Sequence, residues 1–224
     1  MSFYEQVGAA TTAARAELSA IPIVARALTG AVTRAEYLAF LGQAYHHVKH
    51  TVPLLMACGA RLPERLAWLR SAVAEHIEEG LGHEHWILED IATAGGNPDA
   101  VRDSLPLPAT ELMVAYAYDV IAQRNPVGFF GMVFVLEGTS VALATRAAAA
   151  MGERLGLPAT AFRYLNSHGS LDQAHIRFLE GLLNRLDDAA DRQMLIHCAS
   201  MFFRPYGDIF RSLTSQPERP RRIA

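Results

Sequence analysis

The run from Pro126 to Met151 is the most apolar stretch of the chain, yet it contains one carboxylate, Glu137, and one arginine, Arg146. So apolar a segment must be covered by other elements. With two charged side chains inside, it reads as a buried central helix and not as a membrane span. Glu137 sits in Phe129-Phe-Gly-Met-Val-Phe-Val-Leu-Glu-Gly-Thr-Ser-Val-Ala-Leu143. An ionised carboxylate there is costly unless it is paired or bound to a metal. A salt bridge to Lys49 or to an arginine would satisfy it. Metal ligation is the preferred reading, because matching donors lie on two other segments.

Those donors fall at helical spacing. His168, Asp172 and His175 are separated by four and then three residues. At about 100° per residue, Asp172 lies about 40° from His168, and His175 about 20° on its other side. Two imidazoles and a carboxylate on one face can chelate iron, manganese or zinc. The segment Glu75-His-Ile-Glu-Glu-Gly-Leu-Gly-His-Glu-His-Trp86 offers the rest. Glu79 and His83 (i, i+4) share a helix face, and Glu78 and His85 (i, i+7) share another. Geometry alone leaves both pairs open, with His76 and Glu75 less favoured. Gly80 and Gly82 weaken a helix by about 1 kcal/mol each relative to alanine, so a local distortion is expected there. His46, His47 and His50 read as surface or hydrogen-bonded core histidines, with cavity lining as the alternative.

The chain is 51% hydrophobic but only 8% aromatic, and it lacks long alternating β-branched runs. These features predict an all-α fold. Seven main helices are expected: 3–19, 34–60 with a kink at Pro53, one from after Pro63 to about Thr93, 109–124, 127–152, 159–184 and 187–214. A short helical piece ends near Leu28. Thr33 and Glu36 form a capping box for the second helix. Residues 1–215 are expected to form one domain, with a loose basic tail at 216–224.

A net charge of −3 argues against a nucleic-acid partner bound by charge. Cys58 and Cys198 lie in apolar helical settings and read as reduced core residues. The opening residues Met-Ser-Phe-Tyr-Glu-Gln lack the charged and apolar regions of a signal peptide. A cytoplasmic protein with no membrane partner is therefore expected.

The His-x3-Asp-x2-His triad, Glu137 in Val-Leu-Glu-Gly and the Glu-Glu-x3-His-x2-Trp string at 78–86 resemble the haem-oxygenase-like di-metal oxidases and oxygenases. These are often described as iron-containing redox enzymes. Thiaminase-II-like proteins and pyrroloquinoline-quinone synthases share their seven-helix fold. The resemblance covers roughly residues 5–212. It implies a single-domain haem-oxygenase-like bundle with Glu79, His83, Glu137, His168, Asp172 and His175 as metal ligands. It implies two iron ions per chain, with manganese as the alternative. It further implies O2 and a small apolar or amphipathic substrate, such as a fatty-acid or amino-acid derivative, and a homodimer. Haem oxygenase itself fits less well, since no histidine precedes His46. A thiaminase-type nucleophilic cysteine is not recognisable. A cofactor-free oxidase and a metal-storing protein are the rival readings.

Overall fold

The computed structural model describes residues 1–213, except for the side chains of 168–175. The expected basic tail and the side chains of His168, Asp172 and His175 thus lie outside the described residues. Among the described residues the chain is helical throughout, without a strand.

Three of the expected helices are divided. The first becomes α1 (Phe3–Ala10) and α2 (Thr12–Ser19). Thr11 leaves helical geometry between them, and its buried hydroxyl donates to the Val7 carbonyl at 2.8 Å. After the short α3 (Pro22–Ala27), the second expected helix splits into α4 (Arg34–Val48) and α5 (Thr51–Arg61). The Thr33–Glu36 capping box stands at its start as expected. The kink expected at Pro53 is a break at Lys49–His50 instead. Proline has no N–H for the carbonyl four residues back, and its ring crowds that carbonyl, which belongs to Lys49. Pro53 then sits in the first turn of α5, where proline is tolerated.

The third expected helix is not continuous. It ends as α6 (Ala67–Gly80) and restarts as α7 (His83–Thr93). Leu81 is extended and Gly82 is left-handed at φ 83°, a conformation that glycine adopts without steric cost. A short α8 (Pro98–Arg102) was not expected. Then come α9 (Pro108–Gln123), α10 (Phe129–Leu155), α11 (Arg163–Arg185) and α12 (Ala189–Leu213).

The apolar run is the central helix, as read from the sequence. Pro126–Leu155 is long and apolar enough to cross a membrane, but α10 packs its length against α11 and α12. Its buried residues include Phe129, Phe130, Met132, Phe134 and Ala144. Arg65 and Asn125 both hold the fully buried Asp191 near the start of α12, with Arg65 Nη2 at 3.0 Å and Asn125 Nδ2 at 2.8 Å. Opposed charge and paired hydrogen bonds offset the burial of that carboxylate.

Asp90 of α7 sets the start of α11. Its carboxylate accepts from the backbone N–H of Arg163 at 3.0 Å and of Tyr164 at 2.9 Å. These are orphan donors of the first helical turn, so a side chain from another helix acts as the cap. Burial pushes the Asp90 carboxyl up to about 6, against the pull of the two amide bonds. The folded state therefore favours its protonated form. Its contribution to stability is full below the ordinary aspartate pKa and is lost as pH rises through about 6. Relative to Asp90→Asn, the native protein should lose melting temperature between about pH 4 and pH 7. Parallel thermal melts of the two proteins across that window check this; a gap that stays constant or widens in favour of the native protein would contradict it.

Candidate metal centre

An open cavity of about 830 Å³ lies among α4, α5, α6, α7, α10, α11 and α12. Its lining includes His47, His76, Glu79, His83, Glu137 and Tyr206. Three residues singled out in the sequence, Glu79, His83 and Glu137, thus reach one space. They do so across the α6–α7 break and not along one helix face. Glu79 is in the last turn of α6, and His83 is the first residue of α7. The turn at Leu81–Gly82 allows both to line the cavity. Glu78 and His85 do not line it; Glu78, Glu79 and His85 are all exposed, and the His85 side chain is 71% accessible beside Glu84.

His76 is the site residue that sequence reasoning underrated. Its Nε2 lies 3.0 Å from Glu137 Oε1. Its ring stacks on Phe178 of α11 at 6.5 Å between centroids. The imidazole is therefore clamped between an aromatic face and the buried carboxylate of α10. The signal was available, because His76 precedes Glu79 by three residues and shares its face on α6. Among the described residues, the ion pair given for Glu137 is with His76, and not with Lys49 or an arginine as the salt-bridge alternative had it.

His83 is buried and stacks on Trp86 at 4.2 Å. The Arg163 guanidinium covers the same indole at 4.9 Å. This layered arrangement ties the start of α7 to the start of α11, the helix whose sequence carries His168, Asp172 and His175. Among the described residues, no group of three or more His, Cys, Asp and Glu side chains has metal-binding spacing. Those three expected ligands lie outside that set.

The three histidines around the α4–α5 break divide by role. His47 is buried and lines the cavity, with its ring edge-on to Tyr206 at 6.4 Å. His46 is a hydrogen-bonded core residue. Its Nε2 lies 2.9 Å from Ser104 Oγ, which itself donates to the Val101 carbonyl. Nε2 is therefore the donor in that pair. Burial, with Lys49 and His50 nearby, lowers His46 to about 4 and keeps it neutral at pH 7. His50 pairs with the Tyr118 hydroxyl at 3.2 Å. Both cysteines are free and buried, and burial pushes Cys58 up to about 12 and raises Cys198. Neither thiol is set up as a nucleophile.

The model of a family described as iron-containing redox enzymes matches residues 38–206. No curated protein matches the chain significantly. A solved domain of unknown function with a haem-oxygenase-like fold, from Shewanella denitrificans, is 24% identical with a TM-score of 0.84. The alignment covers 96% of this chain and 93% of that one. A TenA homologue from Pseudomonas syringae pv. tomato is 9% identical with a TM-score of 0.80, covering 95% and 92%. Haem oxygenase-1 from Synechocystis, solved with haem, is 17% identical with a TM-score of 0.69, covering 96% and 93%. At these identities the likeness to solved structures speaks for the haem-oxygenase-like fold and not for one chemistry.

Proposed function

The chain belongs to the family of iron-containing redox enzymes, and on that premise we propose that it is an O2-using, non-haem di-iron oxidase or oxygenase acting on a small apolar or amphipathic molecule. One observation carries this reading: His76, Glu79, His83 and Glu137 converge on a single cavity, with Glu137 buried in the central helix. Imidazole nitrogens and carboxylate oxygens suit iron, and also manganese. The proposed ligands are Glu79, His83 and Glu137, together with His168, Asp172 and His175 of α11. Iron bound there would supply the activation of O2.

The chain's own groups have definite tasks. His76 Nε2, at 3.0 Å from Glu137 Oε1, fixes the carboxylate's orientation, as outer partners of metal ligands do. Phe129, Met132, Val133 and Leu136 form an apolar wall that limits water around the reacting atoms. His47 and Tyr206 line the cavity with ring nitrogens and a phenol able to hold or pass a proton.

Anaerobic Fe(II) loading followed by metal analysis tests the reading, with O2 uptake measured under a reductant. The expected result is close to two irons per chain and O2 consumption that needs the iron. Iron without O2 consumption would favour a storage protein. No iron above background would favour a cofactor-free oxidase built on His47 and Tyr206. Haem uptake with a Soret band in place of Fe(II) loading would move the assignment to haem chemistry. Each of these three results overturns the proposal.

A further inference from the structure

A second open cavity, of about 740 Å³, adjoins the first. The two share Ser140, Tyr164 and Tyr206 in their linings. Ser140 is three residues beyond Glu137 on α10, so the shared neck lies one turn from the proposed metal ligand. From Thr139 to Met151 the second cavity follows α10 for about 18 Å, at about 1.5 Å of rise per residue. It is therefore elongated. Its α10 wall is Leu143, Ala144, Ala147 and Met151, and Val24 and Phe210 belong to its facing side.

Charge decides what such a space can hold. Among the described residues lining it, Glu36 alone carries a charge. That carboxylate is already held by Arg26 Nη2 at 2.5 Å and by the Thr33 N–H at 2.8 Å. These contacts keep the carboxyl below the usual range, with the Thr33 amide the largest cause, opposed by burial. A charged or zwitterionic group entering the described part of this cavity would lose its hydration with no free partner of opposite sign. A hydrocarbon chain would lose nothing polar and would bury apolar surface.

We propose that the second cavity holds the unbranched alkyl chain of an amphiphilic substrate, whose reactive polar end lies past the Ser140–Tyr164–Tyr206 neck at the His76–Glu137 cavity. This choice rests on the proposed function for the reactive end, and it selects aliphatic amphiphiles over amino-acid derivatives. Ala144 and Ala147 act as specificity residues, because their small side chains keep the trough open along α10.

Metal-free protein separates this proposal from the iron reading, since the chain pocket should bind alkyl compounds whether or not iron loads. Calorimetric titration with hexanol, octanol and decanol should show Kd tightening by up to about fourfold per added methylene. Ala147→Phe, which fills the trough, should weaken decanol binding at least tenfold while Fe(II) uptake and the helical circular dichroism stay native. Leu143→Gln, at a half-buried position, should weaken binding in the same direction without adding bulk to the core. An affinity independent of chain length, unchanged binding in both variants, or tighter binding of a free amino acid than of hexanol would each overturn the proposal.

Discussion

Glu137→Leu is expected to leave a metal-free chain at least as stable as the native one, and to abolish iron uptake. Glu137 is only 8% exposed, among Met132, Val133 and Leu136 of the cavity wall. Its described ion-pair partner, His76, keeps its stacking on Phe178 when the carboxylate is removed. Leucine fills the same space with an apolar group and removes the cost of holding a carboxylate in that wall. For a chain of this length, each 1 kcal/mol corresponds to roughly 2–4 °C of melting temperature. The leucine variant should therefore melt at or above the native temperature. Its iron content should fall to background, and iron-dependent O2 consumption should fall more than a hundredfold. That loss exceeds the roughly 10–100-fold typical of groups that only orient a ligand. The opposite pattern, a melting temperature lowered by about 10 °C or more with native iron content, would make Glu137 a structural partner of His76 and remove it from the metal centre. Stability given up for a polar site is a common trade in enzymes, and this substitution measures it directly.

The central helix was legible because its demand is simple. So apolar a run has to be buried, and Glu137 in its midst has to find a partner. The Thr33–Glu36 cap was legible because it depends on two residues at fixed spacing. The α6–α7 break was harder to place. Gly80 and Gly82 signalled a distortion, but a left-handed residue between two helices follows from which face each half must bury, and local sequence does not state that. The family resemblance favoured Glu79 with His83, and His76 was set aside although it shares a helix face with Glu79. With the break in place, His76, Glu79 and His83 all line one cavity. His47 and Tyr206 were hidden for a related reason. They meet only because α4 and α12 pack together, a contact separated by most of the chain. The second cavity had no sequence signal, since its walls are ordinary core residues until α3 and α12 are set against α10.

At Gly131 the backbone of α12 leaves no room for a side chain on α10, so Gly131→Val should be strongly destabilising. A Cβ built at Gly131 would lie 2.6 Å from the Ala199 amide nitrogen and 2.9 Å from the Cys198 carbonyl carbon. Both are backbone atoms of α12, at residues with no solvent exposure. They cannot rotate away as a side chain could, so the helices must separate. Overpacking of this kind typically costs about 1–3 kcal/mol and occasionally more. Gly131→Ala recovers up to about 1 kcal/mol from its better helix propensity, so a net loss of up to roughly 2 kcal/mol is expected there. Valine adds two further methyl groups in the same gap and should exceed it. Melting temperatures of the two variants should fall in the order native, alanine, valine. Separation of α12 from α10 would also shift Tyr206 and Phe210, which line the cavities beside Glu137 and Ala147. Iron uptake and alkanol binding should therefore decline together in Gly131→Ala, although Gly131 lines neither cavity. A Gly131→Ala protein that melts at the native temperature would show that α12 yields freely, and would refute the close helix contact as the element that holds the two cavities in register.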